Sequence, residues 1–551
     1  MRKIANVTIL AAIAGATGAL AAGCADYWTD YYLPLTDPKL ATTSTGTGGG
    51  GGTGGTGGTG GTGAGGEAPD CSGDPNETNT VEACGVFAQA DAVDPNGDGS
   101  RQKPYRTLQE ALAKAANKRV YACASAPFSE AVTIAAPVSV IGGFDCSKGW
   151  SWSSTGRSTL NGPAGAIALT LADSAEKAKV ENFAIFAASA EPGMKGASSI
   201  AVAVADITAE LGRCEVTAGD GADGEDGMTP AGAAVKGADA PVPDPTTMNA
   251  CINPIAVSGG APGMTMCEGV ATDGGVGGTG GITGTDNGNG QKGTDGGPLP
   301  SPNPDLYGVG GDGQIDAAGK CKNGAIGNDG TPGPAGSGGA SLGLLSLTGL
   351  ETTEDTDGKQ GTPGQGGGGG GGAKAGLFCP AGMNTIDGPG ASGGGGGAGG
   401  CGGKGGGGGK AGGSSIAILS LGTKLVLSEV TLATGKGGVG GKGANGQNGG
   451  GGGTGADGGI ASATPPSKPG CKGADGGLGG AGGPGGGGRG GHSIGLAYTK
   501  APAAAPVLKT FTQGTPGNGG APPVGAPVSG NGAPGSKGAC WDFSKNQSCS
   551  P

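Results

Sequence analysis

From Gly437 to Gly458, glycine occupies every third position: Gly437, Gly440, Gly443, Gly446, Gly449, Gly452, Gly455 and Gly458. Glycine loses more backbone freedom on ordering than any other residue, so a strict period needs a packing reason. The physical reading is a polyproline II-like helix of three residues per turn, with one edge too close to a neighbour for a Cβ. Collagen fills the remaining positions with proline or hydroxyproline. Here they hold pairs such as Gly-Val, Gly-Lys, Ala-Asn, Gln-Asn and Ala-Asp. A polyglycine II arrangement, in which such helices pack side by side and bond through their backbones, fits this stretch. A solvated glycine coil is the alternative.

Composition points the same way. Glycine is 137 of 551 residues and aromatics are 3%. Leu, Ile, Val and Phe together fall below the ~20% that separates globular from disordered chains. A single large hydrophobic core is excluded, leaving thin cores, backbone-bonded glycine modules or disorder. The net charge of −11 is spread along the chain and offers no basic patch for nucleic acid. His492 is the one histidine, which removes most histidine-based catalysis and most zinc sites.

Residues 1–23 read as an export signal. Arg2 and Lys3 form the positive end, Ile4 to Leu20 the apolar stretch, and Ala21-Ala22-Gly23 the cleavage site. With Cys24 next, this ending resembles the bacterial lipobox, which implies cleavage before Cys24 and a diacylglycerol on its sulfur. The family usually carries Leu three residues before the cysteine; here Ala21 stands there. Residues 24–66 then form anchor and tether. Tyr27, Trp28, Tyr31 and Tyr32 suit either an interfacial contact or a short docking strand. Thr53, Thr56, Thr59 and Thr62 are spaced by Gly-Gly in a flexible stretch whose ends lie about 25–30 Å apart.

The body opens near Glu67. Asp94-Pro-Asn96-Gly-Asp98-Gly99 has the look of an EF-hand start, but Tyr105 stands where the bidentate Glu belongs, so it reads as a turn. Thr107-Leu-Gln-Glu110 is a capping box, with Leu108, Ala111, Leu112 and Ala115 on one helical face. Short alternating strands follow: Val120 with Ala122, Val132 with Ile134, Val138 with Val140, Ile167 with Leu169 and Leu171, Val180 to Ile185, and Ile200 with Val202 and Val204. The run Asp94 to Ala115, with Ser129 to Ile134 and Pro137 to Asp145, resembles the opening of pectin-lyase-like right-handed β-helix proteins. That resemblance implies a parallel β-helix over 67–218 with an N-terminal helix capping its open end.

From Gly219 to residue 535 glycine runs alternate with a short apolar phrase. Ser199-Ile-Ala-Val202, Ser341-Leu-Gly-Leu344, Ser415-Ile-Ala-Ile418 and Ser493-Ile-Gly-Leu496 read as four versions of one strand. They imply a repeat of about 75 residues, with one copy disguised near residue 270. The strands extend the same solenoid and the glycine stretches are long excursions from it. This glycine part is similar to the PGRS glycine-rich surface proteins of bacteria, whose helical N-terminal partner domain is absent here. Polyglycine II bundles are also the fold of springtail antifreeze proteins, whose activity needs a flat ordered face.

Fourteen cysteines in an exported chain point to disulfides. Sequence neighbours suggest the pairs Cys71–Cys84, Cys123–Cys146, Cys251–Cys267, Cys379–Cys401 and Cys540–Cys549, leaving Cys214, Cys321 and Cys471. No cofactor is expected. Calcium has two weak openings: Gly452 to Asp457 resembles one RTX nonapeptide, and Asp220, Asp223, Glu225 and Asp226 form an acidic stretch. β-Helix polysaccharide lyases use clustered carboxylates, calcium and a basic residue; here Arg157 and Arg213 are the candidate bases. Glu351, Glu354, Asp355 and Asp357 crowd a loop, and His492 lacks an evident acid partner. The expectation is therefore a structural or adhesive lipoprotein, not an enzyme, held by its lipid in the envelope at the outer membrane or cell surface. Its partners are the membrane and either polysaccharide or other surface proteins. Residues 536–551 form a cysteine-containing tail. A carbohydrate-binding or polysaccharide-degrading β-helix protein is the alternative.

Overall fold

The computed structural model describes residues 69–252 and 257–549; the export signal, Cys24 and the tether lie outside them. The described chain is mostly β, with α-helices only at Leu108–Lys114 and Pro245–Met248. No helix among the described residues is long and apolar enough to cross a membrane.

Three parallel sheets form the body. The first contains Gly85–Ala88, Arg119–Cys123, Ser139–Asp145, Lys179–Glu181, Ala209–Gly212 and Leu425–Ser428. The second holds Phe128–Ser129, Ser158–Gly162, Phe183–Ala187, Glu215–Ala218, Thr431–Thr434 and Thr510–Thr512. In the third lie Val132–Ile134, Leu169–Leu171, Ser199–Val204, Ser415–Ser420, Ser493–Tyr498 and Lys537–Asp542. From Arg119 to Thr434 the chain visits them in rotation, so successive circuits place like residues in register. Val120, Val140, Val180, Leu211 and Leu427 stack in one column. Phe128, Leu160, Ile185, Val216 and Leu432 form the second. The third comprises Val132, Leu169, Val202, Ile418 and Leu496. All of these side chains belong to one buried core. Each circuit thus buries at least three large apolar side chains, which is how so apolar-poor a chain keeps a core.

The Val180 to Ile185 segment, expected as one strand, turns a corner at Asn182 (φ 57°), leaving Lys179–Glu181 in the first sheet and Phe183–Ala187 in the second. Arg213 (φ 48°) and Glu429 (φ 55°) make the same corner one and two circuits on. The buried Asn182 holds it by donating to the carbonyls of Ser154 and Gly156 at 2.9 and 3.0 Å. At the start of the chain, Thr107 Oγ1 accepts from Glu110 N–H at 3.1 Å. The Glu130 carboxylate takes the next orphan donors, Leu108 and Gln109 N–H, at 2.7 and 3.1 Å. Leu108, Ala111 and Ala115 of this helix enter the core. At the other end the hairpin Lys537–Asp542 with Gln547–Ser548 covers the edge of the third sheet, so the cysteine-containing tail is a strand.

The glycine stretches leave from the second sheet and return to the third. Glu215–Ala218 runs into 219–240, Thr431–Thr434 into 435–459, and Thr510–Thr512 into 513–521. Segments 390–413, 470–491 and 529–536 lead back into Ser415–Ser420, Ser493–Tyr498 and Lys537–Asp542. Between segments the backbone bonds recur every third residue. Gly441, Ala444, Gln447, Gly450 and Gly453 donate to Lys410, Gly407, Lys404, Cys401 and Ala398, an antiparallel ladder. Segment 366–372 is surrounded: Gly366, Gly369 and Gly372 donate to 291–297, Gly367 and Gly370 to 394–397, and Gly368 and Gly371 to 322–325. Its carbonyls accept from 275–278, 311–314 and 471–474.

The repeat of about 75 residues holds for one step and fails for the rest. Ser199–Val204 pairs with Ser415–Ser420 at the 216-residue offset that also relates Asp220 to Lys436. Ser415–Ser420 pairs with Ser493–Tyr498 at the 78-residue offset of His492 to Ser414. The Ser341 phrase is in neither register. Gly343 (φ 87°) breaks it, and Leu344–Ser346 folds back on Gly349–Glu351 as an antiparallel hairpin. Its Leu345 and Leu350, with Leu347 from the turn, cover the outer face of the third sheet over Ile200, Ile416 and Ile494. Near residue 270 the structure has another small hairpin, Met266–Cys267 with Val270–Ala271, instead of a missing strand.

Candidate functional site

The acidic stretch singled out for calcium lies on the outside of the glycine segments and has a backbone partner. Asp220, Asp223 and Asp226 each accept, through Oδ1, the N–H of Lys436, Val439 and Lys442 at 2.6, 2.7 and 2.7 Å. The glycine after each aspartate, Gly221, Gly224 and Gly227, donates its N–H to the carbonyl of that same residue. Each Asp-Gly pair therefore clamps one residue of the parallel neighbour by both its polar groups. Asn323-Gly324 on Lys472 and Asp329-Gly330 on Leu478 repeat the device. Sequence reading missed this role, although its signal is plain: an Asx directly before the lattice glycine, recurring every third residue. Asp457, of the RTX-like unit, sits in the same ladder, where the neighbouring Gly455 N–H is taken by Asp475 Oδ1 at 2.9 Å. Among the described residues no group of three or more His, Cys, Asp or Glu is placed to hold a metal ion.

Titratable residues from distant parts of the sequence converge where the third sheet meets the glycine segments. His492 is buried, with Nδ1 accepting the Ser536 N–H at 2.8 Å. That bond places the ring proton on Nε2, which donates to the Leu342 carbonyl at 3.2 Å. Burial, with the Arg489 charge adding to it, holds the imidazole down at about 4. Arg489 donates to the Ala340 carbonyl at 2.6 Å and Ser536 Oγ at 3.3 Å. Its charge is opposed by Glu354, whose Oε1 accepts from the Ser341 N–H. These three side chains tie the Ser341 hairpin to the returning segment. Of the other carboxylates in that loop, Asp355 pairs with Lys359 at 2.5 Å and Asp357 accepts the Gly408 N–H at 2.7 Å.

The two candidate bases are engaged in the fold. Arg213 reaches Glu181 at 3.0 Å, Asp74 at 3.1 Å and Asn182 Oδ1 at 2.9 Å, and stacks over Trp152 at 5.5 Å. Arg157 donates to the carbonyls of Ser154 and Gly156. The Asp94–Asp98 segment is a pair of side-chain turns: Asp94 accepts the Asn96 N–H and Asp98 the Ser100 N–H, both at 2.9 Å.

Cys71 bonds Cys84, Cys123 bonds Cys146, and Cys540 bonds Cys549. The expected local pairs Cys251–Cys267 and Cys379–Cys401 are replaced by Cys251–Cys379 and Cys267–Cys401, and Cys321 joins Cys471. Segments side by side in this packing are far apart in sequence, so proximity along the chain is a poor guide within the glycine region. Cys214 is the free thiol among the described cysteines; it is buried, which pushes it up to about 12.

A concavity of about 900 Å³ runs along the glycine segments. Its floor includes Asn445 to Gly449 and Ala481 to Pro484, and the turn Val524 to Pro527 forms one wall. None of its lining side chains is charged. No protein-family model matches this chain, and no curated protein matches it in sequence.

Proposed function

We propose that this chain is an exported, lipid-anchored bacterial envelope protein with a structural or adhesive role. In this reading the three sheets are faces of one right-handed parallel β-helix, capped by Leu108–Lys114, and the glycine segments are a polyglycine II bundle on one of its corners. Rotation through three parallel sheets with stacked apolar columns supports the first part, and three-residue backbone ladders support the second. The functional reading is carried by one observation: the strand register continues into the bundle. The 216-residue offset that pairs Glu215 with Thr431 also relates Asp220, Asp223 and Asp226 to their partners. A body joined this way is one stiff, backbone-bonded mass, suited to bearing load or presenting a fixed surface. Its ionisable candidates are spent on holding that shape.

The test is fractionation of expressing cells. The unaltered protein should require detergent for extraction, and Cys24→Ala should move it to the soluble fraction; release without detergent refutes the anchor. Turnover of any acidic polysaccharide, with or without calcium, overturns the structural role in favour of a carbohydrate-active one.

A further inference from the structure

The last glycine excursion fills only part of the channel in which it lies. Segment 514–521 sits against three others, 437–459, 470–491 and 529–536; the first two carry the rows that continue beyond it. Gly437, Gly440 and Gly443 donate to the carbonyls of Thr515, Asn518 and Ala521. In return Gly517 and Gly520 donate to the carbonyls of Gly491 and Gly488. Both rows continue at the same period beyond the point where the occupant stops. The next donors, Gly446, Gly449 and Gly452, have no acceptor among the described residues, and the next carbonyls, Gly485, Gly482, Gly479 and Gly476, have no donor. These groups border one path, since a Cβ on Gly446, Gly449 or Gly452 would first meet the carbonyl of Gly482, Gly479 or Gly476. The occupant leaves at Pro522-Pro523 and turns back through Gly525 (φ 87°). Pro523 stands three residues after Gly520, where the lattice calls for an N–H that proline lacks.

We propose that this open half-channel binds, in trans, an extended peptide segment with glycine at every third residue, docked as one more three-residue helix of the lattice. The occupant's chemistry follows from the one already present. It must supply carbonyls at the spacing of Thr515, Asn518 and Ala521. It must also carry glycine where Gly514, Gly517 and Gly520 stand, because a Cβ at any of these would meet backbone carbonyls of 435–441 inside 3.0 Å. Where the path opens, around Gly446, Gly449 and Gly482, the lining is uncharged and suits a neutral segment. Recognition is by backbone groups in a fixed register, as when a strand adds to a sheet edge. The inference rests on the hydrogen-bond rows alone and stands whether or not the chain is an envelope lipoprotein.

The experiment is backbone hydrogen exchange on the full-length protein, read over residues 444–454, with probes at one protein concentration and a probe-free series over several. The probes are an uncharged synthetic peptide of repeated Gly-Asn-Thr, an Ala-Asn-Thr peptide of equal length, and a neutral linear glucan oligosaccharide. The glycine peptide should slow exchange in this window at least tenfold and leave 392–413 unchanged, while the alanine peptide has no effect. Equal protection by both peptides, or none by the glycine peptide at millimolar concentration, overturns the proposal. So does protection by the glucan alone. Protection that grows with protein concentration in the absence of probe assigns the channel to a second copy of the chain and also overturns it.

Discussion

Replacing Gly400 by alanine places a methyl group where the structure has no room for one. Gly400 donates to the Gly477 carbonyl at 3.0 Å and accepts from Gly364 at 2.8 Å. The new Cβ would come inside 3.0 Å of Gly450 O, Gly450 C and Gly451 O. Those atoms are backbone, themselves fixed in ladders, so relief requires two segments to part by about 1 Å. Overpacking costs about 1–3 kcal/mol, and weakening two hydrogen bonds adds about 1–2 kcal/mol. Alanine's stiffer unfolded chain returns about 0.4–1 kcal/mol. The net expectation is a loss of about 1–5 kcal/mol.

Gly451 is the internal control. It belongs to the neighbouring segment, but its Cβ direction is open, with only Lys236 Cγ at 3.7 Å. Gly451→Ala should therefore be neutral or stabilising by up to about 1 kcal/mol, the unfolded-state term alone. Native-state hydrogen exchange over 392–413 reads the difference. Gly400→Ala should lower protection by about fivefold or more, since each 1.4 kcal/mol is a factor of ten, and Gly451→Ala should leave it intact. If both substitutions change protection equally, glycine is not being kept here for close approach, and the lattice argument fails.

His492 and Cys214 test the interior in other ways. The His492 pKa is lowered in the folded protein to about 4 from an ordinary 6.5. The unfolded chain therefore binds more protons between those values, and the contribution to stability is complete above pH 6.5 and lost as pH falls towards 4. That amounts to about 3 kcal/mol. Urea midpoints at pH 7 and pH 4.5 should separate the unaltered protein from His492→Gln, which cannot titrate; parallel pH slopes would refute the buried neutral imidazole. Cys214, with its thiol pushed up to about 12 by burial, should resist an alkylating reagent in the native protein and react fully in denaturant, as followed by peptide mapping. Native labelling would show that the core around Cys214, beside Val180 and Val216, opens to solvent.

Legibility from sequence divided along a physical line. The helix at Leu108 and the strands around Val120, Val132, Val140, Leu169 and Ile200 were readable because their signals are local: a cap, a period, an alternation. The corner at Asn182 was not, since the polar pair Glu181-Asn182 interrupts the apolar run by only two residues, and it is the positive φ at Asn182 that splits the run between two sheets. The Ser341 phrase misled because identical apolar spacing serves two purposes, a strand within the third sheet and a hairpin lying over it. The disulfides Cys251–Cys379 and Cys267–Cys401 escaped because their loops, 128 and 134 residues long, close through a packing order that no local rule encodes. In the chain-entropy account each is worth about 5 kcal/mol, more than a local bridge would give.

One global feature was nevertheless written in the sequence, as the number of glycines per triplet. A three-residue helix presents its residues in turn to different sides, so each side that meets a neighbour demands glycine there. Residues 366–372, bonded to six other segments, are glycine throughout. In 324–336, which has solvent on one flank, only one position in three must be glycine, and Ile326, Asp329 and Pro332 occupy exposed positions. Segment 470–491 changes class along its own length. The series Lys472, Asp475, Leu478, Ala481 and Pro484 carries side chains where its backbone carbonyls meet the outer segment 324–336, itself glycine at one position in three. It becomes Gly487 and Gly490 where segment 529–536 arrives, and those two residues donate to Gly530 and Ala533. Glycine density along this chain is thus a map of how many neighbours each turn has. By the same rule, Gly446, Gly449, Gly476, Gly479 and Gly482 sit beside an unfilled channel but each already has a close neighbour: a Cβ on Gly446 or Gly449 would meet the carbonyl of Gly482 or Gly479, and one on Gly476, Gly479 or Gly482 the carbonyl of Ala398, Cys401 or Lys404. Their glycine is accounted for by those contacts, so the open channel must be established by its unpaired backbone rows and not by glycine content.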